Sequence, residues 1–208
     1  MTAVIFDCDG TLVDSEPLAR TAWERALAPY GYALTDEDAE ASVGLPYPRV
    51  HAYFAERAEL PAAEPFWSEL SGELFALIDS ELVPFDDAVS AARELRERGV
   101  PVGVASSSPR ERLHRTLRRA GLLDAFDVVV AGDEVTNGKP APDMFLLAAE
   151  RLGVPPEQCI VIEDSPPGVQ AGVAAGMHTI GVSRTGAPLP GAHRVVATLT
   201  AATILEVG

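Results

Sequence analysis

Two aspartates in a short N-terminal motif have the types and spacing for nucleophilic and acid–base chemistry. Asp7 and Asp9 belong to the run Asp7-Cys8-Asp9-Gly10-Thr11, which directly follows an apolar segment. Because side chains alternate along an extended chain, both carboxylates are expected on the same side. Gly10 lets the chain turn where a side chain would block a substrate. An acidic pair in a loop is equally typical of a solvated turn, so the motif needs support from elsewhere in the chain.

A serine and a lysine further along the chain have the chemistry to bind an anion. Ser106 ends an apolar run and precedes a segment with helical spacing. A hydroxyl and free N–H groups at a helix N-terminus form a seat for an anion, although serine is also a common N-cap. Lys139 lies between Gly138 and Pro140, which limit the backbone around it. Alone, each residue is more typical of an ordinary cap or a solvated side chain.

A second acidic pair follows another apolar run. Glu163 and Asp164 come directly after residues 159–162 and precede a helical segment that begins near Pro167. Carboxylate oxygens are hard ligands suited to Mg²⁺, which usually takes one or two carboxylates and keeps several waters. A helix N-cap aspartate is the alternative explanation.

The segments between these residues predict the elements that position them. Short apolar runs rich in β-branched residues are typical of buried parallel strands, and they occur at residues 3–6, 100–105, 127–131, 159–162, 179–182 and 195–197. Segments with helical spacing, each followed by a glycine, occur at residues 87–98, 109–120, 142–152 and 167–175. This alternation predicts the α/β class with a doubly wound parallel sheet. All the candidate residues above would then lie at the carboxyl ends of strands, where such sheets bind ligands.

One helix start has a recognisable signature. The run Ser108-Pro109-Arg110-Glu111 closely matches a capping box with proline at the first helical position. We therefore expect a helix to begin here, immediately after a strand.

Residues 15–82 interrupt the alternation of strands and helices. They contain amphipathic stretches at 17–28 and 66–78 and a Pro/Gly/Tyr stretch at 44–48 that we expect to be a loop. The chain returns to the core near residues 83–84. We predict one domain formed by residues 1–14 and 83–208, carrying a helical insertion of residues 15–82.

Composition narrows the class of protein. The 208 residues suffice for one domain with an insertion, and a net charge of −15 repels nucleic acid. The same charge repels a phosphate ester, so a site for one must supply positive charge from a metal, a lysine or helix N-termini. Apolar runs are too short to cross a membrane, and the first residues lack the basic flank of a signal peptide. We expect a cytoplasmic monomer with neither a disulfide nor a zinc site, its two cysteines being buried thiols.

The order of the motifs resembles a known family. Asp-x-Asp-Gly-Thr, a strand followed by serine, Gly-Lys-Pro, and a strand followed by Glu-Asp occur in this order in the haloacid dehalogenase superfamily, among its phosphatases and phosphomutases with a helical cap. The resemblance covers nearly the whole chain. It implies a Rossmann-like core with an inserted all-helical cap domain, Mg²⁺ as cofactor and a small phosphate monoester, such as a sugar phosphate, as substrate.

The resemblance also implies roles for the motif residues. Asp7 would be the nucleophile that is transiently phosphorylated, and Asp9 the general acid and base. Mg²⁺ would be held by Asp7, the backbone carbonyl of Asp9 and Asp164, with Glu163 acting through water. Lys139 would orient Asp7 and neutralise phosphoryl charge.

The remaining site residues would contact the substrate. The phosphoryl oxygens would be bound by Ser106 and Ser107, together with the loop at Gly10 and Thr11. In the cap, Gly44 and Arg49 align loosely with a substrate-contacting loop, although Arg49 is equally typical of a surface arginine.

Within the family, the resemblance is to β-phosphoglucomutase-like proteins. Such mutases carry a histidine on the first cap helix, where this chain has Ala19, and a Lys-Asn pair where it has Pro109-Arg110. Thr11 replaces a mutase-type valine. These departures favour a phosphatase over a phosphomutase, and Asp9 argues against a dehalogenase, which has no alcohol leaving group to protonate. A non-catalytic binding protein with the same fold is the remaining alternative.

Overall fold

The computed structural model of the chain describes residues 2–42 and 47–206, with only the backbone of Glu40 and Ser42. The strands in chain order are β1 (Ala3–Phe6), β2 (Val13–Asp14), β3 (Val83–Pro84), β4 (Val102–Ala105), β5 (Val128–Val130), β6 (Cys159–Glu163), β7 (His178–Val182) and β8 (Arg194–Val196). The helices are α1 (Glu16–Leu27), α2 (Asp36–Ser42), α3 (Tyr47–Ala55), α4 (Ala63–Glu81), α5 (Asp86–Glu97), α6 (Arg110–Arg119), α7 (Asp143–Leu152), α8 (Pro166–Ala174) and α9 (Ala201–Leu205). The chain divides into two compact units, one formed by the residues up to Asp14 and from Val83 onward, the other by Ser15–Leu82.

The first unit is built on a six-stranded parallel sheet in the order β5-β4-β1-β6-β7-β8. Every residue of β1, β4 and β6 is buried, which explains why these strands are continuous apolar runs apart from Glu163 at the end of β6. Helices connect the successive strands of this sheet, as a doubly wound sheet requires, except between β7 and β8, which a loop joins. The predicted fold class is confirmed, and each predicted strand occurs within two residues of its predicted bounds.

One cluster of apolar side chains packs helices α7 and α8 against the sheet. Its members include Ile5 of β1, Phe145 of α7, Val161 of β6 and Ala171 of α8, all fully buried. Helix α7 ends at Gly153, whose φ of 68° lets its N–H bond back to carbonyls of the last helical turn. This packing fixes the heights at which β1 and β6 end, and therefore the positions of the residues that follow them. Both cysteines are buried free thiols.

The start of helix α6 differs from the prediction. The N-cap is Pro109, which has no side chain to cap the helix, and Ser108, expected to do so, does not. The N–H of Arg110 instead donates to both carboxylate oxygens of Asp133 at 3.3 Å. The Ser108 hydroxyl instead donates to a carboxylate oxygen of Asp9 at 2.8 Å. A serine hydroxyl forms a stronger hydrogen bond with an ionised carboxylate than with a neutral backbone N–H group. Ser108 therefore bonds to Asp9 and does not cap the helix.

The chain leaves and re-enters the first unit through a small antiparallel pair. Strand β2 pairs with β3, with Val13 opposite Pro84 and Asp14 opposite Val83. The N–H of Phe85, directly after β3, donates to the carbonyl of Leu12 at 2.9 Å. The return to the core predicted near residues 83–84 is therefore a two-residue strand.

The second unit consists of helices α1 to α4 with an aromatic core. Helix α1 packs along α4, and the rings of Trp23, Phe54 and Phe66 lie within 6 Å of one another in successive pairs. Tyr47 and Pro48, predicted to be in a loop, form the first turn of α3. Proline is tolerated there because the first N–H groups of a helix have no intrahelical acceptor. The rest of the predicted loop, from 44 to 46, lies outside the described residues.

Across the described ranges, none of the helices combines the length and the apolar character needed to span a bilayer.

Candidate functional site

The carboxyl ends of β1, β4 and β6 bring the candidate residues to one edge of the sheet. Phe6, the last residue of β1, is level with Val104 of β4 and Ile162 of β6. Asp7 therefore emerges beside the loop after β4 and beside Glu163. Parallel strands place residues from distant parts of the chain together in this way.

Lys139 links two of the acidic residues. Its ammonium group donates hydrogen bonds to Asp7 Oδ1 and, at 2.7 Å, to Glu163 Oε1. The lysine side chain is only 8% exposed, and burial would by itself lower its pKa. The two carboxylates outweigh burial and raise the Lys139 pKa, so the ammonium form is retained. The peptide bond between Lys139 and Pro140 is cis.

Three carboxylates form a compact acidic cluster, consisting of Asp7, Glu163 and Asp164. Each offers an oxygen, and these oxygens lie within 4.8 Å of one another. Burial and the neighbouring Glu163 raise the pKa of Asp164 to about 7, although a hydrogen bond from the Thr11 hydroxyl at 3.1 Å opposes the rise. Burial also raises the pKa of Asp7, although Lys139 opposes the rise. When all three carboxylates are ionised, the single ammonium group of Lys139 leaves two negative charges unbalanced. Buried like charges at this spacing are costly, and a hard divalent cation would balance them.

Two glycines allow the acidic cluster to form. A Cβ atom on Gly10, whose φ is 83°, would overlap the Asp164 carboxylate. A Cβ atom on Gly168 would overlap the carboxylate of Glu163. Gly10 was expected to leave room for a substrate. In this structure it leaves room for the carboxylate of Asp164.

Glu163 is held by the start of helix α8. The N–H and the hydroxyl of Ser165 donate to Glu163 Oε2 at 2.6 and 2.9 Å. The same hydroxyl accepts a hydrogen bond from the N–H of Gly168 at 3.2 Å and so caps the helix. Ser165 therefore fixes the Glu163 side chain and the helix start together.

A second group of contacts surrounds Asp9. Ser108 donates to Asp9 Oδ2 at 2.8 Å, and Ser106 lies 3.4 Å from the same oxygen. Arg112 of helix α6 donates from Nη2 to Asp9 Oδ1 at 2.9 Å. The Ser106 hydroxyl also accepts the N–H of Ser108 at 3.1 Å. The Asp9 carboxylate is thus oriented by donors from the loop after β4 and from α6.

The predicted site residues fall into separate groups. Asp7, Lys139, Glu163 and Asp164 lie together, and Thr11 joins them through Asp164. Asp9 and Ser106 form the second group.

Three further predicted residues have different surroundings. Ser107 is exposed, and its backbone carbonyl lies so close to Gly132 that a Cβ there would overlap it. In the second unit, Arg49 is exposed on α3, whereas Gly44 lies outside the described residues. These assignments stay predictions.

Several residues of the site were not identified from the sequence, among them Ser108, Arg112, Ser165 and Gly168. Ser165 directly follows the Glu163-Asp164 pair and precedes two prolines, a signal for a helix N-cap that was available. Arg112 is one of five arginines in α6, and the amphipathic pattern does not distinguish it from the others. Its contact with Asp9 depends on the height of α6 above the sheet, which only the folded chain determines.

Comparisons with known proteins agree with this geometry. A family model described as haloacid dehalogenase-like hydrolase matches residues 1–176. The chain is 36% identical to a phosphorylated carbohydrates phosphatase of Thermotoga maritima over 181 residues, covering 86% of this chain and 84% of that protein. It is 38% identical to fructose-1-phosphate phosphatase YqaB of Escherichia coli over 182 residues, covering 86% of this chain and 95% of that protein. A crystal structure of a putative β-phosphoglucomutase from Thermotoga maritima superposes with a TM-score of 0.84 at 33% identity, covering 100% and 98% of the two chains.

Proposed function

The chain belongs to the haloacid dehalogenase-like hydrolases and is a phosphoric monoester hydrolase, and from this premise we propose that it uses Mg²⁺ and an aspartyl-phosphate intermediate. Its substrates are small phosphate monoesters, with sugar phosphates the foremost class, as the names of its relatives indicate. The observation that carries the proposal is the acidic cluster with its single lysine, because its uncompensated charge suits a divalent cation beside a nucleophilic carboxylate.

The donor set of the cluster fits Mg²⁺. Asp7 and Asp164 would hold the ion with the backbone carbonyl of Asp9, and Glu163 would act through water. All are hard oxygen ligands, which Mg²⁺ prefers. When bound, the ion supplies positive charge that lets an anionic nucleophile approach an anionic phosphoryl group.

The first chemical step is attack by an Asp7 carboxylate oxygen on phosphorus. The bond between phosphorus and the ester oxygen breaks, and Asp9 gives its proton to the departing alcohol. Lys139 holds Asp7 in place and offers positive charge at the developing transition state. Ser106, Ser107, Gly10 and Thr11 are assigned to the phosphoryl oxygens.

The second step returns the enzyme to its starting state. A water molecule attacks phosphorus of the aspartyl phosphate while Asp9, now ionised, accepts a proton from that water. The bond between phosphorus and Asp7 breaks, inorganic phosphate departs, and the carboxylate of Asp7 is regenerated. The donors around Asp9 stabilise its ionised carboxylate and orient it for this second transfer.

We assign the second unit, Ser15–Leu82, to a cap domain that selects the leaving group. Gly44 and Arg49 are its assigned substrate contacts. In this proposal the first unit carries out the chemical steps, which are the same for every substrate.

A phosphomutase of the β-phosphoglucomutase type is the second candidate, because the Thermotoga maritima structure with a TM-score of 0.84 carries that description. The departures at Ala19, Pro109 and Arg110 favour hydrolysis. Incubation with β-glucose 1-phosphate and a bisphosphate primer separates the two: a phosphatase releases inorganic phosphate, whereas a mutase produces glucose 6-phosphate.

The proposal is tested by phosphate release from para-nitrophenyl phosphate with Mg²⁺ and with the metal removed by EDTA. We expect turnover only with Mg²⁺, and a loss of about 10⁴-fold or more in Asp7→Asn. Asp14→Asn, at an exposed aspartate near the same motif, is the matched control and should keep wild-type activity. Full activity in Asp7→Asn, or wild-type turnover that is indifferent to EDTA, would refute the proposal.

A further inference from the structure

Arg184 lies in the loop after β7 and contacts three different segments of the first unit. Its Nη2 donates to the backbone carbonyl of Thr11 at 3.2 Å. Its Nη1 pairs with the carboxylate of Asp87 at 3.1 Å. Its guanidinium carbon lies 3.7 Å from the ring centroid of Phe85. One planar group therefore connects the loop after β1, the start of α5 and the residue after β3.

Asp87 fixes the orientation of this guanidinium. The aspartate lies in the first turn of α5, and it also accepts the N–H of Leu199 at 2.8 Å. Burial alone would raise the Asp87 pKa, but the hydrogen bonds from Arg184 and Leu199 outweigh it and the pKa is lowered. The carboxylate is thus ionised at neutral pH, and the pair is about four-fifths buried, with side chains 21% and 23% exposed. A partly desolvated, two-sided contact of this kind restricts the arginine to one position.

The Thr11 loop is held from both sides by these contacts. Thr11 is completely buried, and its hydroxyl donates to Asp164 at 3.1 Å while its carbonyl accepts from Arg184. The next residue, Leu12, accepts the N–H of Phe85 at 2.9 Å. Gly10, the preceding residue, lies directly against the Asp164 carboxylate. Any shift of this loop would therefore move a donor and a steric neighbour of Asp164 together.

We propose that Arg184 is a positioning residue for the metal site, acting through Thr11 on Asp164. The inference rests on the proposed function in that the acidic cluster is taken to bind Mg²⁺. Arg184 contacts Thr11, Asp87 and Phe85. Because Thr11 donates to Asp164, Arg184 is expected to act on the position of the Asp164 carboxylate. Partners that orient metal ligands typically change metal affinity by about 10- to 100-fold when they are removed.

The test is the dissociation constant of Mg²⁺, measured by calorimetry on the substrate-free protein. We expect Arg184→Gln to raise it by about 10-fold, the lower end of that range, because Arg184 lies one contact further from the ligand than Thr11 does. Phosphatase activity at saturating Mg²⁺ should recover most of its wild-type value, since the chemical groups are intact. Arg184→Lys, which keeps the charge but loses the planar fork, should fall between wild type and Arg184→Gln.

Arg194→Gln is the matched control. Arg194 also donates from both Nη atoms to backbone carbonyls of the first unit, those of Glu206 and Thr203, at 3.1 and 2.7 Å. Its loss should lower the melting temperature without changing Mg²⁺ affinity. An equal dissociation constant in folded Arg184→Gln and wild type would overturn the inference, and so would an equal weakening in Arg194→Gln.

The route through Thr11 is tested by a double-mutant cycle. If Arg184 acts through the Thr11 hydroxyl, adding Arg184→Gln to Thr11→Val should weaken Mg²⁺ binding by less than about twofold, whereas fully additive effects contradict this route.

Should Arg184→Gln fail to fold, Asp87→Asn carries the test: a rise of threefold or more in the Mg²⁺ dissociation constant supports the inference, and an unchanged value overturns it. Wild-type protein that binds Mg²⁺ but does not hydrolyse esters would end the proposed function alone.

Discussion

The guanidinium of Arg112 lies 2.9 Å from the carboxylate of Asp9, although the two residues are 103 positions apart in the chain. Neither side chain is exposed by more than 29%. The contact joins the motif after β1 to the first turn of α6. Ser108, at the loop between β4 and that helix, donates to the other oxygen of the same carboxylate. Both oxygens of the assigned acid and base are therefore oriented by one structural segment.

Replacing Arg112 should slow catalysis more than it weakens substrate binding. In Arg112→Gln the Asp9 carboxylate loses the charged donor that orients one of its two oxygens. We therefore expect kcat to fall by roughly 10- to 100-fold and KM to change less. Steady-state kinetics with Mg²⁺ measures both constants. Arg118→Gln, at an exposed arginine of the same helix, is the control and should behave like wild type. Equal kinetic constants in the two variants would show that the Arg112 contact has no catalytic role.

The loss in Asp9→Asn should depend on the leaving group. An alkyl phosphate needs its departing oxygen protonated, so we expect a reduction of about 10² to 10⁴ in kcat/KM. Para-nitrophenolate leaves without a proton, and its ester should lose less in the formation of the phosphoenzyme. The measurement is the ratio of kcat/KM for glycerol phosphate and para-nitrophenyl phosphate in the wild type and the variant. A ratio that does not change would argue against Asp9 as the acid.

A single methyl group at Gly168 should disturb the acidic cluster. The Cβ atom of Gly168→Ala would overlap the Glu163 carboxylate, which is 1% exposed and cannot move into solvent. We expect the free energy of unfolding to fall by about 1–3 kcal/mol and Mg²⁺ affinity to weaken. Urea denaturation and calorimetry measure the two quantities. Gly72→Ala in helix α4 has open space around the new Cβ and should instead be neutral or stabilise by about 0.5–1 kcal/mol.

The sheet and the acidic edge could be predicted because their signals are local. Buried parallel strands such as β1 and β6 must be apolar on both faces, so they form uninterrupted runs in the sequence. Residues that directly follow such runs, such as Asp7 and Glu163, must lie at the sheet edge. The contact of Lys139 with Asp7 could be expected only from the resemblance to a family, since nothing in its own segment specifies a partner, and its contact with Glu163 was not predicted.

Contacts that depend on the packing of whole helices could not be predicted. The contacts of Arg112 with Asp9 and of Arg184 with Thr11 depend on how α6 and the loop after β7 are placed relative to β1. The spacing of apolar residues in the sequence does not specify that placement. Helix α2, by contrast, had a readable start. Thr35 and Asp38 exchange side-chain and backbone hydrogen bonds at 3.0 and 3.1 Å, which is a capping box with aspartate at the third position.

Asp38 should make the second unit sensitive to acid. Burial by itself would raise its pKa, but hydrogen bonds from Thr35, Tyr53 and Tyr32 lower it to about 2. Because the folded pKa lies below the unfolded value of 3.8, the ionised carboxylate stabilises the folded protein above about pH 4. That stability is lost as the pH falls toward 2.

Asp38→Asn should therefore lower the free energy of unfolding by about 1–3 kcal/mol at pH 7. The difference from wild type should shrink as the pH falls from 4 to 2, and urea titrations followed by circular dichroism at several pH values measure it. Asp36→Asn is the control: this aspartate of the same helix is exposed and pairs with Arg20 at 2.7 Å, and because a surface ion pair contributes little, its loss should cost less than about 1 kcal/mol. A difference that stays constant down to pH 2 would contradict the role given to the carboxylate.

The pairing of Asp14 with Val83 means that the second unit begins and ends at neighbouring points of one short ribbon. A tight turn could join these two residues and leave the register of every strand in the sheet unchanged. The insert could therefore be lengthened, trimmed or exchanged while the strands that position Asp7 keep their pairing. If the second unit selects the substrate, as proposed, then the choice of substrate could diverge at a different rate from the chemistry.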